Sequence, residues 1–595
     1  MYNSNSKFLI ICFTLLFSIL FIFSACLLGD DIETLRRKAG NPDAFIVPGS
    51  NLDDMINWLE YNAVDNGEYI IELRTNQYPD WKWLNFQDKN VTITIKGIGS
   101  ECTLYSNNSA IFNIFNGVTL IFDNNITLKG SFYNSGPLVH INDGGTLIMN
   151  SGSKITDNTV NSQYVYNGSG VYVGYNGIFI MNGGNISNNS SYNGGGVFVS
   201  TNGNFNMIGG TISGNNTSGG GGGVTVSING NFNMTGGTIS GNTADWGGGV
   251  YVESYGNFNM TGGTISNNNA SYNGGGVNMN LATFFMTGGT ISGNTASGDG
   301  GGVNISFGDF DMYEGTISNN YSSDSGGGVF VNYGGTFNMH NGTITNNSSH
   351  NNSGGSGGGG VSVNNWGDFN LYNGIISRNY SYNGGGGGVS VNSANFIMQS
   401  GNISNNETWN NGGGVNVNNG YFYMNGGSIF DNSSFSGGGV NINNGFFEMN
   451  NGTILNNTAN GNGGGVYNIN GIFDMYNGTI SNNLAGNNGG GVCVENWGTF
   501  NMDGGTISKN TTNYYGGGLY LDNSSFNKTG GVITGLDSVD YNFINYLVFG
   551  HAVYARGDVY GWGSNWYSFK SDTAYDNLSC DPYRNLTGVW DGSGP

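Results

Sequence analysis

A short pattern of apolar and polar residues repeats through most of the chain. In one repeat the apolar positions are Val250, Val252, Phe258, Met260 and Ile265. Alternation with a period of two places the members of each apolar pair on one face of a β-strand. Glycine and asparagine separate the apolar groups, as tight turns require. Each repeat is therefore predicted to contain three short strands.

The first valine of this pattern recurs, mostly every 25 to 28 residues, at Val171, Val197, Val224, Val250, Val277, Val303, Val329, Val361, Val389, Val415, Val440, Val466 and Val492, with Leu519 at the end. A fixed period in this range is typical of a solenoid. Stacking the coils pairs each strand with those above and below it. The predicted fold is all-β: a right-handed, single-stranded parallel β-helix with three short strands per coil, capped at both ends. The right hand is expected because parallel crossovers strongly prefer it.

One spacing inside the repeat is constant: an asparagine always follows the isoleucine by three residues. Such a column is expected to form a ladder inside the stack, each amide bonding to its equivalents above and below. The distance from this asparagine to the next valine varies from eight to fourteen residues, so a loop on one edge absorbs the length changes. The predicted ladder consists of Asn215, Asn242, Asn268, Asn294, Asn320, Asn347, Asn379, Asn406, Asn432, Asn457, Asn483 and Asn510.

The sequence Ile-Ser-Asn-Asn followed by Gly-Gly-Gly-Val resembles a pair of motifs in the polymorphic outer-membrane and adhesin-like β-helix proteins. Those motifs are Phe-x-x-Asn and Gly-Gly-Ala-[Ile/Leu/Val]; this chain has Ile for Phe and Gly for Ala, over roughly residues 145–535. The resemblance implies a secreted or cell-surface β-helix of pectate-lyase-like architecture, often adhesive. Because residues 536–595 are too few for the membrane barrel of that family, we expect a protein without the autotransporter barrel.

The first 26 residues have the features of a signal peptide. Lys7 supplies a positive charge, Phe8 to Phe23 form an apolar core, and Ser24-Ala25 precede Cys26. This ending is similar to a lipobox, so Cys26 is expected to be lipidated and to hold the protein at the outer membrane or cell surface. A plain signal peptide, which would give a secreted protein, and an uncleaved anchor helix are the alternatives.

The other predicted boundaries follow from where the repeat is regular. Residues 27–50 are expected to be a tether, and residues 51–100 an N-terminal cap with a helix that buries Leu52, Met55, Ile56 and Leu59. The repeats occupy residues 101–535, and residues 536–595 hold a last degenerate coil and a C-terminal cap. Caps at both ends would cover open edges that otherwise invite polymerisation.

The composition argues against some classes of binding partner. The net charge of −22, with only 9% charged residues, argues against binding to nucleic acid or to acidic membranes. Membrane contact is therefore expected only through the lipid anchor. No metal-ligand spacing occurs among the cysteines and the four histidines, and no cofactor is expected.

The candidates for catalysis are Asp309, Asp311 and Glu314. The two aspartates flank an inward phenylalanine, so both point outward, about 6.5 to 7 Å apart by strand rise. This is close to the separation that inverting glycosidases use. However, no Lys or Arg lies between Lys154 and Arg378 to neutralise a polyuronate. A solvated polar patch is the alternative, and we do not predict an enzyme.

Aromatic residues form two rows at the edges of the predicted coil. The first row, in the variable loop before the valine, includes Trp246, Tyr272, Tyr321, Tyr382 and Trp409. The second row, three residues before the phenylalanine, consists of Tyr255, Trp366 and Trp497. Aromatic faces among Asn and Ser suit sugar rings and protein surfaces; alternatively, the rings cover the glycine-rich edge.

These features favour an adhesin-like surface protein that binds a glycan or a host protein. Two other functions remain open: a passive structural spacer or surface coat, and a carbohydrate-active enzyme of pectate-lyase-like fold.

Overall fold

The structure is a computed structural model, and it describes residues 44–160, 168–352, 357–534, 542–545, 552–556, 559–562, 566–569, 573–575 and 578–579, with side chains up to residue 556. The predicted signal peptide, its Cys26, most of the tether and most of the C-terminal cap lie outside these residues. The described part is an all-β parallel solenoid of about 18 turns. The predicted parallel β-helix is thereby confirmed.

The paired valines form one column of strands, which we call the Val strands. They pair in register, so that Val250 lies beside Val277 and Val277 beside Val303. The Val strands are Lys82–Leu84, Phe112–Ile114, Val139–Ile141, Val171–Val173, Val197–Val199, Val224–Val226, Val250–Glu253, Val277–Asn280, Val303–Ser306, Val329–Asn332, Val361–Asn364, Val389–Asn392, Val415–Asn418, Val440–Asn443, Val466–Ile469, Val492–Glu495, Leu519–Asp522 and Val553–Arg556. Thr573–Tyr575 pairs with the last of them in antiparallel fashion.

A second column, the Phe strands, carries the phenylalanine–methionine pairs. It comprises Phe45–Ile46, Gly67–Leu73, Val91–Gly97, Val118–Phe122, Thr146–Met149, Ile178–Met181, Asn204–Met207, Asn231–Met234, Asn257–Met260, Thr283–Ser292, Asp309–Ser318, Thr336–Met339, Asp368–Leu371, Asn395–Met398, Tyr421–Met424, Phe446–Met449, Ile472–Met475, Thr499–Met502, Ser525–Lys528 and Val559–Trp562. Trp566–Phe569 folds back against the last of these.

The third column, the Ile strands, follows after a glycine turn. Thr283–Ser292 and Asp309–Ser318 run through that turn and belong to both columns. The other Ile strands are Cys102–Tyr105, Ile126–Lys129, Ser153–Thr156, Asn185–Ser187, Thr211–Ser213, Thr238–Ser240, Thr264–Ser266, Thr343–Thr345, Ile375–Ser377, Asn402–Ser404, Ser428–Phe430, Thr453–Leu455, Thr479–Ser481, Thr506–Ser508, Val532–Ile533 and Leu578–Ser579, the last antiparallel.

Each regular coil also has a two-residue strand that the sequence pattern did not predict. Asn269–Ala270 pairs with Thr295–Ala296, and only the second residue of each is buried. Two residues are too few to show an alternation. These strands are Ser190–Ser191, Asn216–Thr217, Thr243–Ala244, Asn269–Ala270, Thr295–Ala296, Tyr321–Ser322, Ser348–Ser349, Tyr380–Ser381, Glu407–Thr408, Ser433–Ser434, Thr458–Ala459, Leu484–Ala485, Thr511–Thr512 and Phe543–Ile544.

An α-helix, Leu52–Asn62, precedes the first coils and buries the apolar face that its sequence predicts. Asn51 caps it, because the Asn51 Oδ1 accepts a hydrogen bond from the Asp54 amide at 2.8 Å. The strands Gly67–Leu73 and Val91–Gly97 pair with each other and lead into Val118–Phe122, so they are continuous with the stack. In the described part of the chain, no helix is long and apolar enough to cross a membrane.

The core is a column of stacked rings. Phe310 has no exposed surface, and its ring centroid lies 4.5 Å from that of Phe284 and 4.9 Å from that of Phe337. The same stacking continues from Phe179 to Phe526 with nearly parallel rings. Methionine and isoleucine of each coil pack around this column. The same residue types, held in register, therefore fill the interior of successive coils.

The predicted asparagine ladder is confirmed. The Asn268 Nδ2 donates to the Asn294 Oδ1 at 3.0 Å and to the carbonyl of Ile239 at 3.0 Å, while the Asn268 Oδ1 accepts from the backbone amide and the Nδ2 of Asn242. All twelve predicted members are buried. The ladder also extends beyond them, to Asn189 at one end and Asn542 at the other.

Replacing a core ring should destabilise the stack strongly. Phe310→Ala would leave a cavity between two flanking rings and should lower the free energy of unfolding by about 3 to 5 kcal/mol. The matched control is Phe307→Ala, since Phe307 is 55% exposed on the surface, and its cost should stay below about 1 kcal/mol. Equal denaturant midpoints for the two variants would contradict the inward assignment.

Breaking the ladder should also cost stability. Asn320→Ala removes an amide that donates to Asn347 and Ile291 and accepts from Asn294. Leaving these buried partners unpaired should lower the free energy of unfolding by about 1 to 3 kcal/mol. The control is the exposed Asn477→Ala, for which we expect no change in a denaturant titration. If both variants unfolded at the wild-type denaturant midpoint, the ladder would not contribute to stability.

Candidate functional site

The predicted catalytic carboxylates lie on the outer face of the Phe strands. The Asp311 Oδ1 accepts a hydrogen bond from the Asn338 Nδ2 at 3.0 Å and lies 3.7 Å from the His340 Nε2. The Glu314 Oε1 accepts from an amide of the next coil at 2.7 Å, and Asp309 is exposed. These contacts hold Asp311 and Glu314 to the following coil. The three residues remain candidates for catalysis, and no enzyme is predicted.

Among the described residues, no group of three or more His, Cys, Asp or Glu side chains could hold a metal ion. Cys102 and Cys493 are free and buried. Burial and the nearby carboxylate of Glu495 raise the pKa of the Cys493 thiol, which keeps it protonated and unreactive. Cys493 is nevertheless informative, because it is buried on the outward side of a Val strand.

The outward side of the Val strands is covered. Thr225, Asn304 and Ser362 occupy the position between the two apolar residues, point away from the core, and are only 0 to 3% exposed. In the described loops, glycines that precede the Val strands pack against this face, as Gly300 does against Asn304. A Cβ on Gly274 would lie 2.6 Å from the Cβ of Asn278, so only glycine permits this approach. The loops and the Val strands thus meet along one face of the solenoid, and we call the surface between them the Val-strand groove.

A cavity of about 200 Å³ opens in this groove. Eight asparagines and two glycines line it. Asn416, Asn418, Asn441 and Asn443 come from two successive Val strands, and the others, including Asn411, come from the loops of three successive coils. The cavity wall is therefore made of amide groups and carries no ionisable side chain.

Two of these amides have unused hydrogen-bonding capacity. Asn441 is 2% exposed and donates to the Asn416 Oδ1 at 2.7 Å, and Asn351 is 8% exposed. Their Oδ1 atoms accept no hydrogen bond from the described residues. A buried carbonyl left in this state costs about 1 to 3 kcal/mol. Since the terminal torsion of asparagine is broad, a small rotation presents each oxygen to a donor in the cavity.

Aromatic residues of the first predicted row lie beside the cavity. Tyr382 and Trp409 directly precede the lining residues Asn383 and Asn410. Their ring centroids are 4.5 Å apart, and the ring of His350 stacks on Tyr382 at 4.5 Å. We call His350, Tyr382 and Trp409 the aromatic strip. It extends over three coils along one edge of the groove, and Trp409 is 61% exposed.

The other predicted aromatics border the same face. In the first row, Trp246 and Tyr272 stack with centroids 5.2 Å apart, and Tyr321 is 36% exposed. The second row occupies the turns that follow the Val strands, and its members are 69 to 81% exposed: Tyr255, Trp366 and Trp497. The two rows therefore lie on the two edges of one face, because one precedes the Val strand and the other follows it.

The asparagines that line the cavity are absent from the sequence-based candidates. The sequence does show a pattern at these asparagines, since Val415–Asn418 and Val440–Asn443 alternate apolar residues with asparagine. Alternation alone predicts a solvated outer face for such residues. It does not show that a loop folds back over that face.

A carboxyl group also lies in the loop wall of the groove. The half-buried Asp299 precedes the three glycines, and its Oδ1 accepts from the backbone amide of Ser325 at 2.9 Å. Burial raises the pKa of Asp299 to about 6, and the negative charge of Asp324 adds to the increase, although the Ser325 amide opposes it. In the preceding coil, Asn273 makes the equivalent bond without a charge.

Asp299→Asn should stabilise the protein at neutral pH. Because the pKa of Asp299 is higher folded than unfolded, the folded state holds the proton more tightly, and stability falls as pH rises from about 4 to about 6. Asparagine cannot ionise, so the variant should gain about 1 to 2 kcal/mol above this range, a value reduced for partial solvent screening.

Thermal unfolding between pH 3.5 and 8 would measure this gain. The variant and the wild type should converge below pH 4. A gain independent of pH would contradict the assignment.

Comparisons with known proteins identify no family for this chain. No protein-family model matches it, and no curated protein matches it. The groove, its amides and its aromatic edges are therefore the basis for proposing a function.

Proposed function

We propose that the protein is an adhesin-like surface protein that binds a glycan in the Val-strand groove. The observation that carries the proposal is the cavity lined by eight asparagines, with the aromatic strip at its edge. Support also comes from the resemblance of the repeat motifs to those of polymorphic outer-membrane and adhesin-like β-helix proteins.

The chemistry of the groove suits sugars. An asparagine amide both donates and accepts hydrogen bonds, as a sugar hydroxyl does, so the two can pair in either sense. The buried oxygens of Asn351 and Asn441 favour a ligand that brings donors. An exposed ring such as that of Trp409 offers a flat apolar surface for the C–H face of a pyranose.

The location of the protein is part of the same proposal. A lipid on Cys26 would hold the protein at the outer membrane or cell surface, where a groove open to solvent can meet glycans of another cell or of the surrounding matrix. Binding to a host protein through the aromatic edges is the competing form of adhesion. A spacer or coat protein would bind neither, and an enzyme would need Asp309 or Asp311.

The test is a screen of the purified full-length chain against immobilised glycans and host matrix proteins. We expect binding to glycans, weakened about 3- to 10-fold by Trp409→Ala, which removes the most exposed ring of the aromatic strip. The matched control is Tyr372→Ala, since Tyr372 stacks on His340 on the Phe strands, away from the groove.

Three results would contradict the proposal. Binding only to matrix proteins would indicate protein adhesion, and no binding at all would indicate a spacer. Cleavage of a bound glycan that is lost in an Asp309/Asp311 double variant would indicate an enzyme.

A further inference from the structure

A second ladder of amides runs along the outer surface of the Val-strand groove. The last residue of five consecutive Val strands is a half-buried asparagine: Asn332, Asn364, Asn392, Asn418 and Asn443. The Asn418 Nδ2 donates to the Asn392 Oδ1 at 3.2 Å, and the Asn443 Nδ2 donates to the Asn418 Oδ1 at 3.1 Å. Asn418 and Asn443 also line the cavity. We call these five residues the outer ladder by their equivalent positions; these hydrogen bonds join the last three, and the Asn332 Oδ1 accepts instead from the Asn365 Nδ2 at 3.0 Å.

From this ladder we infer that the glycan in the proposed groove is an uncharged, linear polysaccharide that lies along the solenoid axis with one sugar ring per coil. The inference rests on the proposed function, and it adds the class, direction and length of the ligand. Three properties of the groove support it: its period, its charge and its extent.

The period of the ladder selects the type of polymer. Neighbouring coils present equivalent amides about 4.8 Å apart. An extended peptide repeats on one side only every two residues, about 6.6 to 6.8 Å, so it would lose register within two or three coils. An extended chain of equatorially linked pyranose rings advances by close to one strand spacing per ring. In β-1,4-linked hexose chains successive rings are turned over, so one edge presents the ring hydroxyls and the C6 hydroxyl in alternation, and every ring can bring a hydroxyl to the amide of its coil.

The charge of the groove selects an uncharged polymer. The cavity wall carries no ionisable side chain. Between Lys154 and Lys509 the sequence holds one Lys or Arg, Arg378, which follows the Ile strand Ile375–Ser377 and not a Val strand. The net charge of −22 repels polyanions as well. A cationic sugar would lose its hydration in the cavity without gaining a carboxylate partner there, which is unfavourable.

The ends of the ladder set the length of the site. The equivalent position is Ser306 in the coil before Asn332 and Ile469 in the coil after Asn443. The five amides therefore span about 19 Å at about 4.8 Å per coil, enough for five rings. The aromatic strip borders this same segment, since His350, Tyr382 and Trp409 precede three of its Val strands.

The experiment is calorimetric titration of the full-length chain with neutral β-linked oligosaccharides of two, four and six rings, made from glucose, mannose, xylose or N-acetylglucosamine. For at least one sugar, affinity should rise from two rings to six. Maltohexaose, whose α-linkages curve the chain, and polygalacturonate, which is anionic, should bind more weakly than that hexasaccharide.

Asn392→Ala removes the central amide of the outer ladder and should lower the affinity for the hexasaccharide about 3- to 10-fold. The control is Asn370→Ala, because the Asn370 Nδ2 donates to the Asn338 Oδ1 at 2.9 Å in a similar ladder on the Phe strands. This variant should leave the affinity unchanged.

The outcomes separate the inference from the proposed function. If a glycan binds, but equally well with two rings and with six, the lengthwise arrangement is wrong while glycan binding stands. Tighter binding of polygalacturonate, or equal losses in the two alanine variants, would also overturn the inference. If none of these oligosaccharides binds but the glycan screen is positive, the ligand class is wrong. If neither shows binding, the proposed function itself fails.

Discussion

The buried asparagine ladder is the interaction on which the rest of the structure depends. Each ladder amide uses its two donor hydrogens and its carbonyl oxygen within the stack, as Asn268 shows. An amide shifted by one residue would face the core without partners, at a cost of about 1 to 3 kcal/mol for each unpaired group. The ladder therefore fixes one register, and every column of residues, from the stacked phenylalanines to the outer amides, follows from it.

Because all coils stack in one register, the short sequence repeat produces a long surface with a fixed period. Glycine adds the second requirement, because the loops before the Val strands can close over the sheet only where no Cβ intervenes, as at Gly274. Together these constraints give a groove whose wall repeats once per coil. A periodic polymer suits such a wall, whereas a compact ligand would use one part of it.

The sequence predicted the interior better than the exterior. The valine column and the fixed step from Ile265 to Asn268 were sufficient for the parallel coil and its ladder, because buried positions tolerate few residue types. The two-residue strands carry too little pattern to be found. Cys493 occupies the outward position of its strand, yet it is fully buried. Spacing along the chain gives the period of a repeat, but not the path of a glycine-rich loop across a neighbouring face.

Native-state hydrogen exchange of the glycine segments tests the stacked-coil account most directly. By composition, Gly247–Gly249 would be a flexible linker. In the structure the amide of Gly248 donates to the carbonyl of Gly274 at 3.1 Å, and the amide of Gly249 donates to that of Gly275 at 3.2 Å. The account predicts that peptides covering these glycines are protected as strongly as those covering Val250–Glu253. Rapid exchange at the glycines beside protected valines would contradict it.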